Sequence, residues 1–505
     1  MVRSARNTLV PINRIPYEVL SIIPDYWADE DTEDEFDDPA SKHLITLTHV
    51  CHDWRELFIS RPSLWTRLDC TNIEKTRVYI ERSKSFPLKL YLREEPYGYY
   101  KSFSNDAFLL TIPYLGRLGS LSLVGSDESF VELVEQHFNQ PAPLLEKLFI
   151  CFHGHPFSIT AAILDENLSS LRELSLHGVI TDLPWKNLAN LTTFDFRQVP
   201  SDEISMTQLL DFFERAPLLR NIQLLHAFPT TSDAPLDRVV SLSSLKKLRT
   251  IAQPTHSILL NHLLIPSGAS LVLEFEFDNE FSPISAYLPK DLKNINNLFP
   301  VTSISLCYES GVTLRLDGPS GGLYVFGTWI GAARFPPVVH HLVLRSLHRF
   351  CISATERFTI AAYSAQLSLQ AEKFPPYQTL LLMNALRTLV LIDCHNIPLI
   401  FALNPSRIPS GTLVCPKLEE LVLCIRKGEW FCVRELLEMV KERSSRGAGL
   451  STITIFSPQE FVPAREVLKL RDHVPCVEYR LDDVVPALDE IPNDIKGPRC
   501  ECNWW

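Results

Sequence analysis

The chain has 505 residues, 46% of them hydrophobic, which is enough for a sizeable core and excludes disorder throughout. Its net charge of −12 and the lack of a basic cluster argue against nucleic acid as the main ligand. The 12 cysteines are scattered without a Cys-x-x-Cys pair, which favours a reducing compartment. With no signal peptide and no run of ~18 apolar residues, we expect a cytoplasmic or nuclear protein without a membrane partner.

The first predicted elements are short helices on either side of an acidic block, after a flexible stretch at residues 1–11. Pro16 opens a helix that Pro24 ends. The acidic block, Asp29–Asp38, holds 8 acids and no base, which indicates a solvated loop, with the binding of a basic partner as the alternative. After the block, apolar residues recur at the helical spacing of three and four: Leu44, Leu47, Val50 or Cys51, Trp54 and Leu57.

This N-terminal segment resembles an F-box over residues 12–68. The motifs that carry the resemblance are Ile15-Pro16, Glu18-Val19-Leu20, Leu44 with Leu47, Val50-Cys51, Trp54-Arg55 and Pro62-Ser63-Leu64-Trp65. The chain departs from the family in the acidic insertion at 28–41, which is longer than the usual connection. The resemblance implies binding to the Skp adaptor, and through it to a cullin, by Ile15, Pro16, Val19, Leu20, Leu47, Val50, Trp54 and Trp65. Each of these residues, Trp54 among them, is alternatively part of the internal core.

Residues 69–110 are predicted to link this segment to the rest of the chain. The sequence favours a helix from about Asn72 to Lys84, capped by Asn72 or Thr71, and a strand from Leu88 to Leu92. The stretch "ERSKSFPLKLYL" is similar to the continuation of fungal F-box chains.

The region 111–480 repeats the pattern apolar-x-x-apolar-x-apolar. The units begin at Leu118, Leu145, Leu171, Leu191, Leu219, Val301, Val339, Leu386, Leu418 and Leu450, with weaker ones at Leu245 and in "SLVLEFEF". The early intervals match the ~20–29 residues of leucine-rich repeats, and later ones are lengthened by insertions such as "GPSGGLYVFGTWIGAARFPP". Amphipathic helices are predicted in "SMTQLLDFFERAPLL" and "FCVRELLEMVKERSSRGAGL". The predicted fold class is therefore α/β: a small helical F-box, then an irregular leucine-rich-repeat solenoid with a curved, mostly parallel sheet. A series of unrelated buried strands is the alternative.

Alternation along each strand assigns the residues between the leucines to the outward face. We expect Leu174, Leu176, Leu421 and Leu423 to be buried, and we expect a protein substrate to contact Arg172, Glu173, Ser175, His177, Lys417, Glu419 and Glu420, with Val422 on the same face.

No sequence motif for catalysis is found, and we expect neither a cofactor nor a metal. The chain lacks a phosphate-binding loop, a His-Glu-x-x-His helix, a Gly-x-Ser-x-Gly elbow and a dinucleotide fingerprint. "FHGHP" is more typical of a loop than of a metal site, and "CEC" lies in the predicted tail, 481–505. The sequence thus favours a non-catalytic substrate receptor of an SCF-type ubiquitin ligase. The alternatives are a Skp-bound scaffold without a cullin, a leucine-rich-repeat binding module unrelated to ubiquitination, and a repeat protein with hydrolase activity.

Overall fold

A computed structural model of the chain describes the residues on which the following account rests. They are 16–20, 22, 39–94, 102–138, 140–153, 156–158, 168–181, 188–200, 203–227, 229, 233–235, 237–251, 256–277, 288–289, 291–295, 300–308, 311–329, 344, 346–362, 377–392, 397–408, 411–425, 433–457 and 464–480. Predictions for Ile15, for the acidic residues Asp29–Asp38 and for the tail 481–505 lie outside the described residues. Of the unit predicted to begin at Val339, only Leu344 is described, and it is buried but helical instead of extended.

The chain forms two compact units. The first comprises the described residues of Met1–Ile204 and Asp211–Leu219, and the second those of Ser205–Leu210 and Arg220–Gly497.

The first unit begins with helices and continues with strands. Its elements are α1 (Tyr17–Leu20), α2 (Pro39–Thr48), α3 (His52–Ile59), a 3₁₀ turn (Pro62–Trp65), β1 (Arg67–Leu68), α4 (Ile73–Ser83), β2 (Leu88–Arg93), α5 (Asn105–Leu109), a 3₁₀ turn (Ile112–Arg117), β3 (Leu118–Gly125), α6 (Glu128–His137), β4 (Lys147–Phe152), β5 (Phe157–Ser158), β6 (Glu173–His177), β7 (Val179–Ile180) and β8 (Thr193–Arg197). The helix and strand predicted in the linking region are confirmed as α4 and β2. The side chain of Asn72 caps α4, as one of the two predicted caps, by accepting a hydrogen bond from the N–H of Lys75 at 2.9 Å.

The second unit is mostly strands. After α7 (Met206–Arg215), which spans the boundary between the units, come β9 (Asn221–Leu225), β10 (Val240–Ser241), β11 (Lys247–Ile251), α8 (His256–Asn261), β12 (Leu263–Leu264), β13 (Ser270–Phe277), β14 (Ser303–Tyr308), β15 (Gly311–Asp317), β16 (Gly322–Trp329), 3₁₀ turns (Leu347–Arg349, Ile352–Ala354), β17 (Arg357–Ala362), α9 (Tyr377–Leu380), β18 (Thr388–Ile392), α10 (Ile397–Leu403), a 3₁₀ turn (Pro405–Arg407), β19 (Glu420–Cys424), α11 (Val433–Ser445), β20 (Thr452–Phe456), α12 (Ala464–Arg471) and β21 (Cys476–Arg480). The two amphipathic helices predicted in the repeat region are confirmed as α7 and α11.

The strands of the first unit pair in parallel, in the order β1, β2, β3, β4, β6, β8. The register aligns the predicted apolar positions: Leu121 of β3 pairs with Leu148, which pairs with Leu174, which pairs with Phe194 of β8. All four are buried, so the pattern of the sequence forms one continuous apolar row.

The strands of the second unit continue the same arrangement, with one exception. The order is β9, β11, β13, β16, β15, β14, β17, β18, β19, β20, β21, and every pair is parallel except the two that involve β15. The stretch that begins at "GPSGG", read as a loop or hairpin insertion, supplies the turn before β16 and then β16 itself. The fold is therefore α/β with a mostly parallel sheet, and no sheet formed by the described residues is closed.

The same turn precedes many of the strands. The first apolar residue of a unit donates its backbone N–H to the carbonyl three residues earlier, as Leu171 does to Leu168 at 2.9 Å and Leu418 to Cys415 at 3.1 Å. Leu145, Leu191, Leu245 and Leu386 make the same bond. The pattern in the sequence therefore marks a repeated turn as well as a repeated strand.

Helix α11 is fastened to the turn before β19 by a buried cation. The guanidinium of Arg443 is fully buried and donates to the carbonyl oxygens of Val414 at 2.7 Å and Cys415 at 2.8 Å. The chain then leaves α11 through Gly447, whose φ of +76° suits glycine better than any other residue.

Candidate functional site

The N-terminal helical layer, which we define as α2, α3, the turn Pro62–Trp65 and α4, is packed around two tryptophans. Trp54 of α3 meets the ring of Phe58 edge to face at 5.7 Å. Trp65 donates its indole N–H to the carbonyl of Phe58 at 2.9 Å and meets the ring of Tyr79 edge to face at 5.0 Å. Since both indoles are buried, they hold the layer together from inside.

The residues predicted to bind the adaptor divide into buried and exposed groups. Leu20, Trp54 and Trp65 are buried, Leu47 is half-buried, and Pro16, Val19 and Val50 are exposed; Ile15 lies outside the described residues. Trp54 and Trp65 are therefore core residues, which is the alternative that the sequence allowed beside adaptor contact.

Four aliphatic side chains between Val19 and Val50 remain in solvent. Val19 is 48% exposed, Ile22 54%, Ile45 40% and Val50 51%. We name these four the apolar set. The sequence did not single out Ile22 or Ile45, although Leu44 and Thr48, four residues apart on α2, are buried and thereby direct Ile45 to another side of the helix.

The second predicted site is the sheet face opposite the leucines. In the first unit, Arg172 is exposed, and Glu173 and Ser175 are half-buried. Glu173 forms an ion pair of 3.1 Å with Lys147 of the neighbouring strand β4. These residues are accessible to a partner.

His177, the fourth residue of this group, lies in a buried cluster of charges and is only 4% exposed. Asp195 of β8 lies 3.5 Å from its Nε2, and Arg197 donates to both oxygens of Asp195 at 2.7 and 2.6 Å. Burial by itself raises the pKa of Asp195, but the imidazole of His177 and the guanidinium of Arg197 outweigh it and lower the pKa to about 2. Phe149 closes one side, with its ring 5.0 Å from the imidazole.

The same face of the second unit is apolar on the carboxyl-terminal strands. Lys417 and Glu419 are exposed and Glu420 is half-buried, but Val422 is buried. Val422 belongs to a cluster whose other buried members are Ala361, Val390, Ile392 and Cys424. All five side chains lie on the face that alternation assigns away from Leu421 and Leu423.

Two of the described cysteines, Cys70 and Cys415, are buried. Burial, strengthened by Asp69, raises the pKa of the Cys70 thiol to about 12, and burial raises that of Cys415 to about 12 as well. Neither thiol forms the thiolate that a nucleophile requires near neutral pH. Within the described ranges, no group of three or more His, Cys, Asp or Glu side chains is placed to hold a metal ion.

A scan against protein-family models and a search of curated proteins both find no match to this chain. Of the helices in the described part of the chain, none combines the length and the hydropathy needed to cross a bilayer.

Proposed function

We propose that this chain is the substrate-recognition subunit of an SCF-type ubiquitin ligase. The N-terminal helices would be an F-box that binds the Skp adaptor, and the strands would be an irregular leucine-rich-repeat solenoid with a curved sheet that binds a protein substrate. Such a subunit would work in the cytoplasm or the nucleus.

The observation that carries the proposal is the division of the F-box-like motif into a buried and an exposed half. Trp54 and Trp65 hold the helical layer together, while Val19 and Val50 of the same motif are exposed, as are Ile22 and Ile45. Covering exposed aliphatic side chains with a partner is favourable by ~25 cal/mol for each Å² removed from water. An attachment segment is expected to have this form.

The repeated turn and strand support the second half of the proposal. Parallel strands that follow one another at short intervals, each after the same turn, are typical of solenoid repeats. Glu173 and Glu420, the first residues of β6 and β19, lie on the face opposite the leucines and are half-buried. Arg172 and Glu419, directly before these strands, are exposed. A face of this kind is suited to a protein partner.

The proposed mechanism is proximity. The chain would hold a substrate near a ubiquitin-charged conjugating enzyme, so that transfer to a substrate lysine proceeds at a raised effective concentration. In this mechanism no group of the chain would take part in bond making.

The test is capture of the Skp adaptor by the full chain. Val50→Asp is expected to weaken capture more than about tenfold, because a carboxylate would lose its water at a covered apolar surface. Leu144→Asp is the matched control, since Leu144 is 46% exposed but lies outside the apolar set. Equal capture by the parent chain and by Val50→Asp would contradict the assignment, and a captured adaptor without a cullin would favour the scaffold alternative.

A further inference from the structure

A cleft opens between the four elements of the helical layer. Its volume is about 360 Å³, and it is bordered by α2, α3 and α4 with the turn at Trp65. A volume of this order is typical of sites that accept a small ligand or a few side chains of a peptide.

The lining combines an apolar floor with cations. Ile45, Ile59 and Val78 supply aliphatic surface, and Trp65 and Tyr79 supply aromatic surface. The floor is therefore able to bury the apolar part of a ligand.

Three cations border the cleft against one carboxylate. They are Arg55, Lys75 and Arg82, and the carboxylate is Glu74, which is held by Arg77 at 2.6 and 2.8 Å. Lys75 is paired with Asp69 at 2.5 Å. The excess of positive charge favours an anionic ligand.

Two of these cations have no ion-pair partner among the residues that the structure describes. Arg82 lies over the face of Trp65, with its guanidinium carbon 4.3 Å from the ring centroid. Arg55 donates its Nε to the carbonyl of Thr48 at 3.0 Å, a bond that fixes the side chain but brings no negative charge to it. A guanidinium held in place by packing on one side is well suited to bind a carboxylate with the rest of its N–H groups.

We propose that this cleft binds an acidic peptide segment, with carboxylates on Arg55 and Arg82 and an apolar side chain on the floor. The segment would belong to the protein that docks on the N-terminal helices, because Ile45 both lines the cleft and belongs to the apolar set. The source assigned to the segment rests on the proposed function, whereas binding of an acidic peptide to the cleft does not.

The direct test measures binding of a fluorescein-labelled peptide of alternating glutamate and leucine to the full chain. Arg55→Gln and Arg82→Gln are each expected to weaken binding about tenfold, because each removes a charge-assisted hydrogen bond. Arg220→Gln is the matched control, since it removes the same charge from an exposed position that does not line the cleft, and its effect is expected to stay within about twofold. Added salt should weaken binding to the parent chain.

Two further measurements control for a change in the fold of the helical layer. Arg82 also stacks on Trp65, so Arg82→Lys and the melting temperatures of all variants separate a loosened helical layer from a lost anion contact. Equal binding by Arg55→Gln and Arg220→Gln would overturn the proposal. Binding of inorganic phosphate without binding of the peptide would overturn the peptide as occupant.

Capture of the Skp adaptor by the same variants distinguishes the cleft from the proposed function. Capture that depends on Val50, together with no peptide binding, would overturn the cleft and leave the proposed function. Peptide binding that depends on Arg55, together with no adaptor capture by the parent chain, would overturn the proposed function and leave the cleft. We expect both capture and peptide binding to fall in Arg55→Gln.

Discussion

Strands β6 and β8 of the first unit and strands β18 and β19 of the second carry different chemistry on the same face. In the first unit, the middle of this face holds the buried charges of Asp195 and Arg197 with His177. In the second unit, the corresponding positions of β18 and β19 hold Val390, Ile392, Val422 and Cys424. The opposite face is apolar in both units, so the leucine pattern alone sets the fold and leaves the second face free to vary. The face opposite the leucines would therefore suit partners of different polarity in these two regions.

The largest effect is expected where a charge enters the apolar cluster of the second unit. Val390→Lys should lower the free energy of unfolding by on the order of 4 kcal/mol, because the ammonium loses water and gains no partner there. Thr388→Lys is the control, since Thr388 lies on the same face of β18, is half-buried and adjoins Glu420. Urea denaturation measures both variants. Equal, small losses would show that the face of this unit tolerates charge as the first unit does.

A smaller loss is expected when the charged cluster of the first unit is broken. Asp195→Asn should cost about 3 kcal/mol, because Arg197 stays buried without its counter-charge. Denaturation of this variant is compared with that of Arg197→Met together with Asp195→Leu, which removes both charges and should cost less. If the single variant is as stable as the parent chain, the cluster contributes nothing to the fold.

The pH dependence of stability checks the same carboxylate. The folded pKa of Asp195, about 2, lies below the ordinary value of 3.8, so its stabilisation is present above pH ~4 and is lost as the pH falls from ~4 to ~2. The loss should amount to on the order of 2 kcal/mol and should be absent from Asp195→Asn. Identical acid profiles for the two chains would contradict the assigned pKa.

The smallest effect is expected at the exposed edge of the same face. Glu173→Lys should change the free energy of unfolding by about 0.5 kcal/mol or less, because the pair with Lys147 is nearly half exposed and well solvated. Thermal melting checks this value, and capture of protein partners shows whether the accessible residues are used. A loss as large as that of Asp195→Asn would mean that the exposed and the buried charges of this face form one network.

The positions of the buried leucines were predictable because a strand repeats every two residues. Leu174, Leu176, Leu421 and Leu423 are fully buried, as predicted. Strand β17 is among the strands that the pattern did not predict, because its unit begins with a polar residue. Thr355 takes the place of the first leucine and donates its hydroxyl to the carbonyl of Val301 at 3.2 Å. The unit therefore does not match a pattern that requires an apolar residue at its first position.

The sequence did not predict which residues are buried on the face opposite the leucines. Alternation places His177 and Val422 opposite the leucines, but their burial depends on neighbours that the sheet brings in from other strands. The neighbours of His177 are Phe149 and Asp195, each about one repeat away in the chain. The cleft was equally hidden, because Arg55 and Arg82 lie on separate helices that meet only after folding.

The antiparallel strand β15 has a consequence for the assembly of the second unit. Because β14, β15 and β16 form a meander, β13 pairs with β16 instead of β14, and Ser270 meets Gly322, 52 positions later. On the other side, Ser303 of β14 meets Arg357 of β17, 54 positions later, whereas Thr388 of β18 meets Glu420 of β19 after only 32. Doubling a loop raises its closure entropy by only about 0.6 kcal/mol, so each longer connection costs less than that. The meander itself closes through short turns, and once formed it offers one parallel edge to the strands before it and another to the strands after it. A parallel array can in this way lengthen from within at a small entropic cost.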